Sequence, residues 1–169
     1  VRRPEIILLD LNFTLIADQQ VSRYIRPIER RVELEQYRMD LVDALVGYRV
    51  FVLTARPEHQ KTATLAAISR RIPQLALERA YFNTHDEKPP DAKYRMMSRF
   101  ILPDGIAPAW CFAIESNPKT RAMYGKLGVT TAPSVLPRGR VNSLCCQVSH
   151  GPRRTLVGLS EAAHAGGSC

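Results

Sequence analysis

A doubly wound α/β domain on a parallel sheet is the fold this sequence predicts, and three observations predict it. Short apolar runs alternate with stretches of helical spacing along most of the chain. The runs are apolar throughout and do not alternate with polar residues, as parallel strands covered on both faces require. Several of them end in an acid or a hydroxyl, and open parallel sheets bind ligands just beyond the carboxyl ends of their strands. A chain of 169 residues holds one compact domain and little else.

The first strand is predicted at residues 5–10, where Ile6, Ile7, Leu8 and Leu9 lead to Asp10. Residues 16–33 are polar and arginine-rich without a period, and are expected as a minimal insertion outside the sheet. From Leu34 the spacing turns helical: Leu34, Tyr37, Leu41, Ala44 and Leu45 share a face, and Gly47 sits where glycine closes a helix. Residues 48–53 form the second strand. Pro57 then opens a helix to about Arg71, proline being suited to a first helical turn. A short third strand follows at 80–82, and Pro90 opens a helix bearing Tyr94, Met97, Phe100 and Ile101. The fourth strand lies at 110–114. Asn117 and Pro118 supply the N-cap and first-turn proline of a last helix, with Met123 and Leu127 facing inward and Gly128 closing it. A fifth strand is expected at 129–131. The domain therefore spans residues 1–132, and 133–169 reads as a largely disordered tail. From Pro137 onward there is no aromatic residue, no lysine and a single acid, Glu161. Cys145, Cys146, Cys169, His150 and His164 fall in that tail at spacings that match no zinc-ligand pattern.

Composition excludes several classes. With 45% hydrophobic and 24% charged residues the chain is neither fibrous nor wholly disordered. No apolar run approaches the ~20 residues of a membrane-spanning helix. The stretch after Arg2 and Arg3 stops at Asp10, too short and too acidic for a secretory leader. Four cysteines without a CxxC pair point to free thiols in a reducing compartment, hence a cytoplasmic protein. Lys and Arg outnumber Asp and Glu by 24 to 16, a net charge of +8 that suits anionic partners such as phosphate esters or nucleic acid.

The strand ends carry the candidate chemistry. Asp10, Asn12 and Thr14 follow the first strand; Thr54 and Arg56 end the second; Glu115, Ser116 and Asn117 end the fourth; Lys88 and Lys93 flank the third connection. A carboxylate at a strand end can attack phosphorus and split hydrolysis into two easier steps. Attack of one anion on another needs positive charge, which a lysine or Mg²⁺ supplies.

Taken in order, these segments resemble the signature motifs of the haloacid dehalogenase-like superfamily of phosphotransferases. Asp10-Leu-Asn-Phe-Thr14 resembles its first motif, DxDxT; Val52-Leu53-Thr54 resembles the second; Lys93, with Lys88 as the other candidate, resembles the third; and Ala113-Ile-Glu115-Ser116-Asn117 resembles the acidic fourth. The nearest likeness is to small-cap phosphatases, including the phosphatase domain of polynucleotide kinase-phosphatases, over residues 5–131. The resemblance implies a Rossmann-like sheet with a minimal cap at about 16–33. It implies an Mg²⁺-dependent phosphatase acting through an aspartyl-phosphate on Asp10. Asp10, the Asn12 carbonyl and Glu115 would be metal ligands, and Thr54, Arg56, Lys93 and Ser116 substrate contacts. The substrate would be a phosphorylated small molecule or a nucleic-acid end, and Arg23, Arg26, Arg30 and Arg31 in the cap suit a polyanion.

Two departures stand out. Asn12 occupies the place of the family's second aspartate, the general acid and base, and an amide cannot exchange a proton usefully. Glu115-Ser116-Asn117 replaces paired aspartates, leaving one charge there. The alternative reading is therefore a catalytically weak or silent domain that binds a phosphorylated ligand or partner.

Overall fold

The computed structural model describes residues 5–17 and 25–134, so the expected tail lies outside the described residues save for Pro133 and Ser134. Five strands form one sheet in the order β3-β2-β1-β4-β5: β1 (Ile6–Leu9), β2 (Arg49–Pro57), β3 (Leu77–Asn83), β4 (Cys111–Ile114) and β5 (Thr130–Ala132). Every pairing is parallel. Around the sheet lie α1 (Ile28–Leu34), α2 (Met39–Leu45), α3 (Lys61–Arg71), α4 (Pro89–Met96) and α5 (Pro118–Lys126). This is the predicted doubly wound α/β architecture.

β1 is central, and all four of its residues are buried. Ile7 and Leu9 enter a core with Val50, Val52, Val42, Leu45 and Ile68. Ile6 and Leu8 enter the opposite core with Phe51, Leu53, Met97 and Tyr124. Successive strand side chains point to opposite faces, so an unbroken apolar run is what a strand covered on both sides needs. Truncating Leu9, fully buried, to Ala would cost roughly 2–5 kcal/mol.

Three elements differ from expectation. The helix predicted from Leu34 starts only at Met39, as α2; residues 35–38 are extended and separate it from α1, which ends at Leu34. Ile16 bridges Tyr37 antiparallel, Ala17 N donates to the Gln36 carbonyl and Arg38 N to that of Leu15, both at 2.9 Å. The break buries Glu35, whereas Leu34 is 56% exposed, and Val42 faces inward in place of Ala44. Part of the predicted insertion is thus α1. β2 runs through Pro57, and a 3₁₀ turn, Glu58–Gln60, precedes α3 where an α-helix from Pro57 was expected. Beyond α4 the chain widens into a π-helical turn, Met97–Ile101, which buries Met97 and Ile101 and leaves Tyr94 and Phe100 outside. The expected caps are present. Asn117 Oδ1 accepts from Lys119 N at 2.9 Å, and Gly47 and Gly128 both take φ +85°, a left-handed conformation open to glycine. Among the described residues no helix is long and apolar enough to cross a membrane.

The chain travels outward from β1 through β2 to β3, then returns across the sheet to β4 and continues to β5. Strand order therefore reverses between β1 and β4. At such a point the loops beyond the two carboxyl ends diverge and leave a crevice.

Candidate active site

Asp10 follows β1 and Glu115 follows β4, and these strands are in register at Leu9 and Ile114. The two acids therefore leave the sheet side by side. Lys93, on α4, is 1% exposed; its Nζ donates to Asp10 Oδ1 at 2.6 Å and to Glu115 Oε2. One buried ammonium joins two buried carboxylates. The remaining oxygens are also held: Thr14 Oγ1 donates to Asp10 Oδ2 at 2.9 Å, and Asn117 N donates to Glu115 Oε1 at 2.9 Å. Thr14 Oγ1 accepts from Ser116 N at 3.1 Å, and Ser116 Oγ donates to the Asn12 carbonyl at 3.3 Å, so the loops after β1 and β4 are tied together. Arg121 Nη1 donates to the carbonyls of Glu115 and Ser116, each at 2.8 Å.

Burial first, and then the Asp10 carboxylate, push the Glu115 carboxyl above its ordinary value, while Lys93 pulls it back. Withdrawing each of these charges from water costs several kcal/mol, and two anions against one cation leave the cluster with a formal excess of negative charge. Clusters of that kind concentrate at functional sites.

A second buried network adjoins the first. Arg56, 2% exposed, donates from Nη1 to Glu35 Oε2 at 3.2 Å and Thr64 Oγ1 at 3.0 Å. Its Nη2 donates to Glu35 Oε1 at 2.8 Å and to Asn12 Oδ1 at 2.9 Å. Arginine only donates, so the oxygen end of the Asn12 amide faces it and the NH₂ end lies opposite. Arg31 approaches the same acid, with Nε 3.9 Å from Glu35 Oε1; burial and then Arg56 lower its pKa.

Of the residues read from sequence, Asp10, Asn12, Lys93, Glu115 and Ser116 are brought together. Lys88 is exposed at the N-cap of α4, and Lys93 is the lysine in the cluster. Thr54 is fully buried at the same sheet edge; its Oγ1 accepts from Arg56 N at 3.1 Å, and its hydroxyl still has a proton to donate. Arg56, expected to hold substrate, has both terminal nitrogens engaged by Glu35, Thr64 and Asn12, so its link to the site runs through Asn12. Sequence reading missed Glu35, Thr64 and Arg121. None of the three carries a sequence signal: at helical spacing from Leu34, Glu35 falls on the side away from Leu34, Tyr37, Leu41 and Leu45, where a solvated acid is expected.

Two carboxylates and a backbone carbonyl are hard oxygen donors, the set Mg²⁺ takes alongside retained waters. No group of three or more Asp, Glu, His or Cys gathers among the described residues. A cation here would thus be held by Asp10, Glu115, the Asn12 carbonyl and water, a set that fits Mg²⁺ in kind.

No protein-family model matches the chain, and no curated protein does. Solved structures do. A chain of the Pnkp1/Rnl/Hen1 complex superposes with a TM-score of 0.62 at 16% identity, over 79% of this chain and 46% of that one. A predicted HAD-like hydrolase from Porphyromonas gingivalis gives 0.56 at 15% identity, over 89% of this chain and 100% of that one. A HAD-family enzyme from Bacteroides thetaiotaomicron, in complex with magnesium and inorganic phosphate, gives 0.50 at 13%, over 76% and 93%. The chain spans less than half the length of the Pnkp1/Rnl/Hen1 chain it matches. The fold is the haloacid dehalogenase-like fold that the motifs resembled.

Proposed function

We propose that the protein is a phosphate-ester hydrolase acting through an aspartyl-phosphate on Asp10. One observation carries the reading: Lys93 bridges Asp10 and Glu115 at the point where strand order reverses. A carboxylate oxygen of Asp10 attacks phosphorus, and the bond from phosphorus to the ester oxygen breaks. The leaving oxygen takes a proton from water. A second water then attacks the acyl phosphate at phosphorus, freeing inorganic phosphate and the Asp10 carboxylate. Lys93 offsets the charge of nucleophile and phosphate together, Thr54 donates its hydroxyl proton to a phosphoryl oxygen, and Ser116 holds the loop. Mg²⁺, held by Asp10, Glu115 and the Asn12 carbonyl, would supply further charge neutralisation when bound.

The net charge of +8 and the exposed Arg26 and Arg30 within the insertion after β1 favour a polyanionic substrate such as a nucleic-acid end over a neutral-bodied ester. So does the likeness in fold to a chain of an RNA repair complex. A second reading rests on Asn12: with no acid there, the domain binds phosphorylated ligands without turning them over. Rapid-quench labelling with a ³²P ester in Mg²⁺ decides between them. A phosphoenzyme in the wild type that is absent from Asp10→Asn supports the hydrolase. Ligand binding without a phosphoenzyme supports the binding module.

A further inference from the structure

Phe13 stands in the loop between Asn12 and Thr14, is 53% exposed and takes φ +59°. It is the third residue of a turn closed by Thr14 N donating to the Leu11 carbonyl at 3.3 Å. Positive φ at that place favours glycine or asparagine, and for a bulky residue it is strained. The other non-glycine residue with positive φ among those described is Asp86, a type that tolerates it. Phe13 thus combines two unfavourable features, strain and an apolar ring in water, three residues from the proposed nucleophile. The aromatic ring is not needed for the hydrogen bonds of the loop, which run through Thr14, Ser116 and the backbone.

We infer that Phe13 selects the leaving group: its ring stacks on a planar aromatic group carried by the phosphate ester, an aryl ring or a nucleobase. The inference rests on the hydrolase reading for the site it serves. A flat face meeting a flat face needs no hydrogen-bond pattern, so the contact favours rings without choosing among them. Strain at residue 13 persists because the turn that brings Thr14 back to Asp10 imposes it, and that turn lies in the loop after β1, where strand order reverses.

The test compares wild type, Phe13→Asn and Phe13→Trp on phenyl phosphate, a nucleoside 3′-monophosphate and ring-free glycerol phosphate. Asparagine suits the turn, so Phe13→Asn should melt no lower than wild type. Comparing each variant with wild type on one ester cancels that ester's intrinsic reactivity. Phe13→Asn should lose about ten-fold more kcat/KM on the ring-bearing esters than on glycerol phosphate, chiefly in KM, and Phe13→Trp should retain the preference. A loss confined to the nucleotide assigns the contact to a nucleobase; a loss on both assigns it to any aromatic ring. Equal losses on all three esters, or none, overturn the inference and leave the hydrolase reading intact. If wild type turns over none of them, the hydrolase reading fails, and calorimetry decides for Phe13. Tighter binding of phenyl phosphate than of inorganic phosphate, lost in Phe13→Asn, upholds the contact; equal binding overturns it.

Discussion

Glu35→Gln tests the buried pair that holds Asn12. The Glu35 side chain is 0% exposed and that of Arg56 is 2%, with oxygen–nitrogen distances of 2.8 and 3.2 Å. Glutamine keeps the shape and one acceptor but removes the charge. Arg56 cannot shed its proton and would remain a buried cation with Arg31 close to the same spot. Removing one partner of a buried pair costs about 3–5 kcal/mol, and the acceptor that glutamine retains argues for the lower end, about 3 kcal/mol. At about 2–4 °C per kcal/mol for a chain of this size, the melting temperature should fall by roughly 10 °C. Thermal unfolding followed by circular dichroism reads this directly. A double-mutant cycle with Arg56→Met separates the pair from its surroundings: replacing both partners should cost less than the two single changes added together. A Glu35→Gln melt within about 2 °C of wild type, or strict additivity in the cycle, would refute the reasoning.

Three further outcomes are expected. Asn12→Asp places a carboxylate against Arg56 Nη2, now 2.9 Å from Asn12 Oδ1, which favours the ionised base over the acid. Rapid-quench kinetics should then show dephosphorylation accelerated, by about 10²-fold or more, with a smaller effect on phosphoryl transfer to Asp10. Lys93→Met leaves the Asp10 and Glu115 carboxylates facing each other without their cation; phosphoenzyme formation should drop below detection and the protein should lose about 3 kcal/mol in denaturant unfolding. Burial pushes the Cys111 thiol up to about 11, so the fold favours its neutral form. That contribution is complete below the ordinary thiol pKa and is lost as pH rises towards 11, where the unfolded chain has already ionised. Mass-mapped alkylation at pH 8–9 should leave Cys111 unmodified in the native protein and modify it in denaturant.

Residues 5–10 and 110–114 were legible as strands because a parallel strand covered on both faces must be apolar along its length, and that pattern is local. The acids at their ends were legible for the same reason: Asp10 and Glu115 stand where the apolar run stops, and the sheet edge is where parallel strands meet ligands. Asn117 and Gly128 marked a helix by chemistry that involves only neighbouring residues. What tertiary structure alone decided lies between residues far apart in sequence. Lys93 and Lys88 are equally basic, and only the packing of α4 against the sheet places Lys93 between Asp10 and Glu115. Glu35, Arg56 and Asn12 meet across separations of 21 and 44 residues, and no periodicity encodes such a meeting. The pair also overrides the helical spacing around Leu34 and Tyr37. A buried carboxylate needs its arginine more than a short segment needs helical hydrogen bonds, and the backbone of 35–38 bonds to Leu15 and Ala17 instead, so these residues are extended and the predicted helix starts only at Met39.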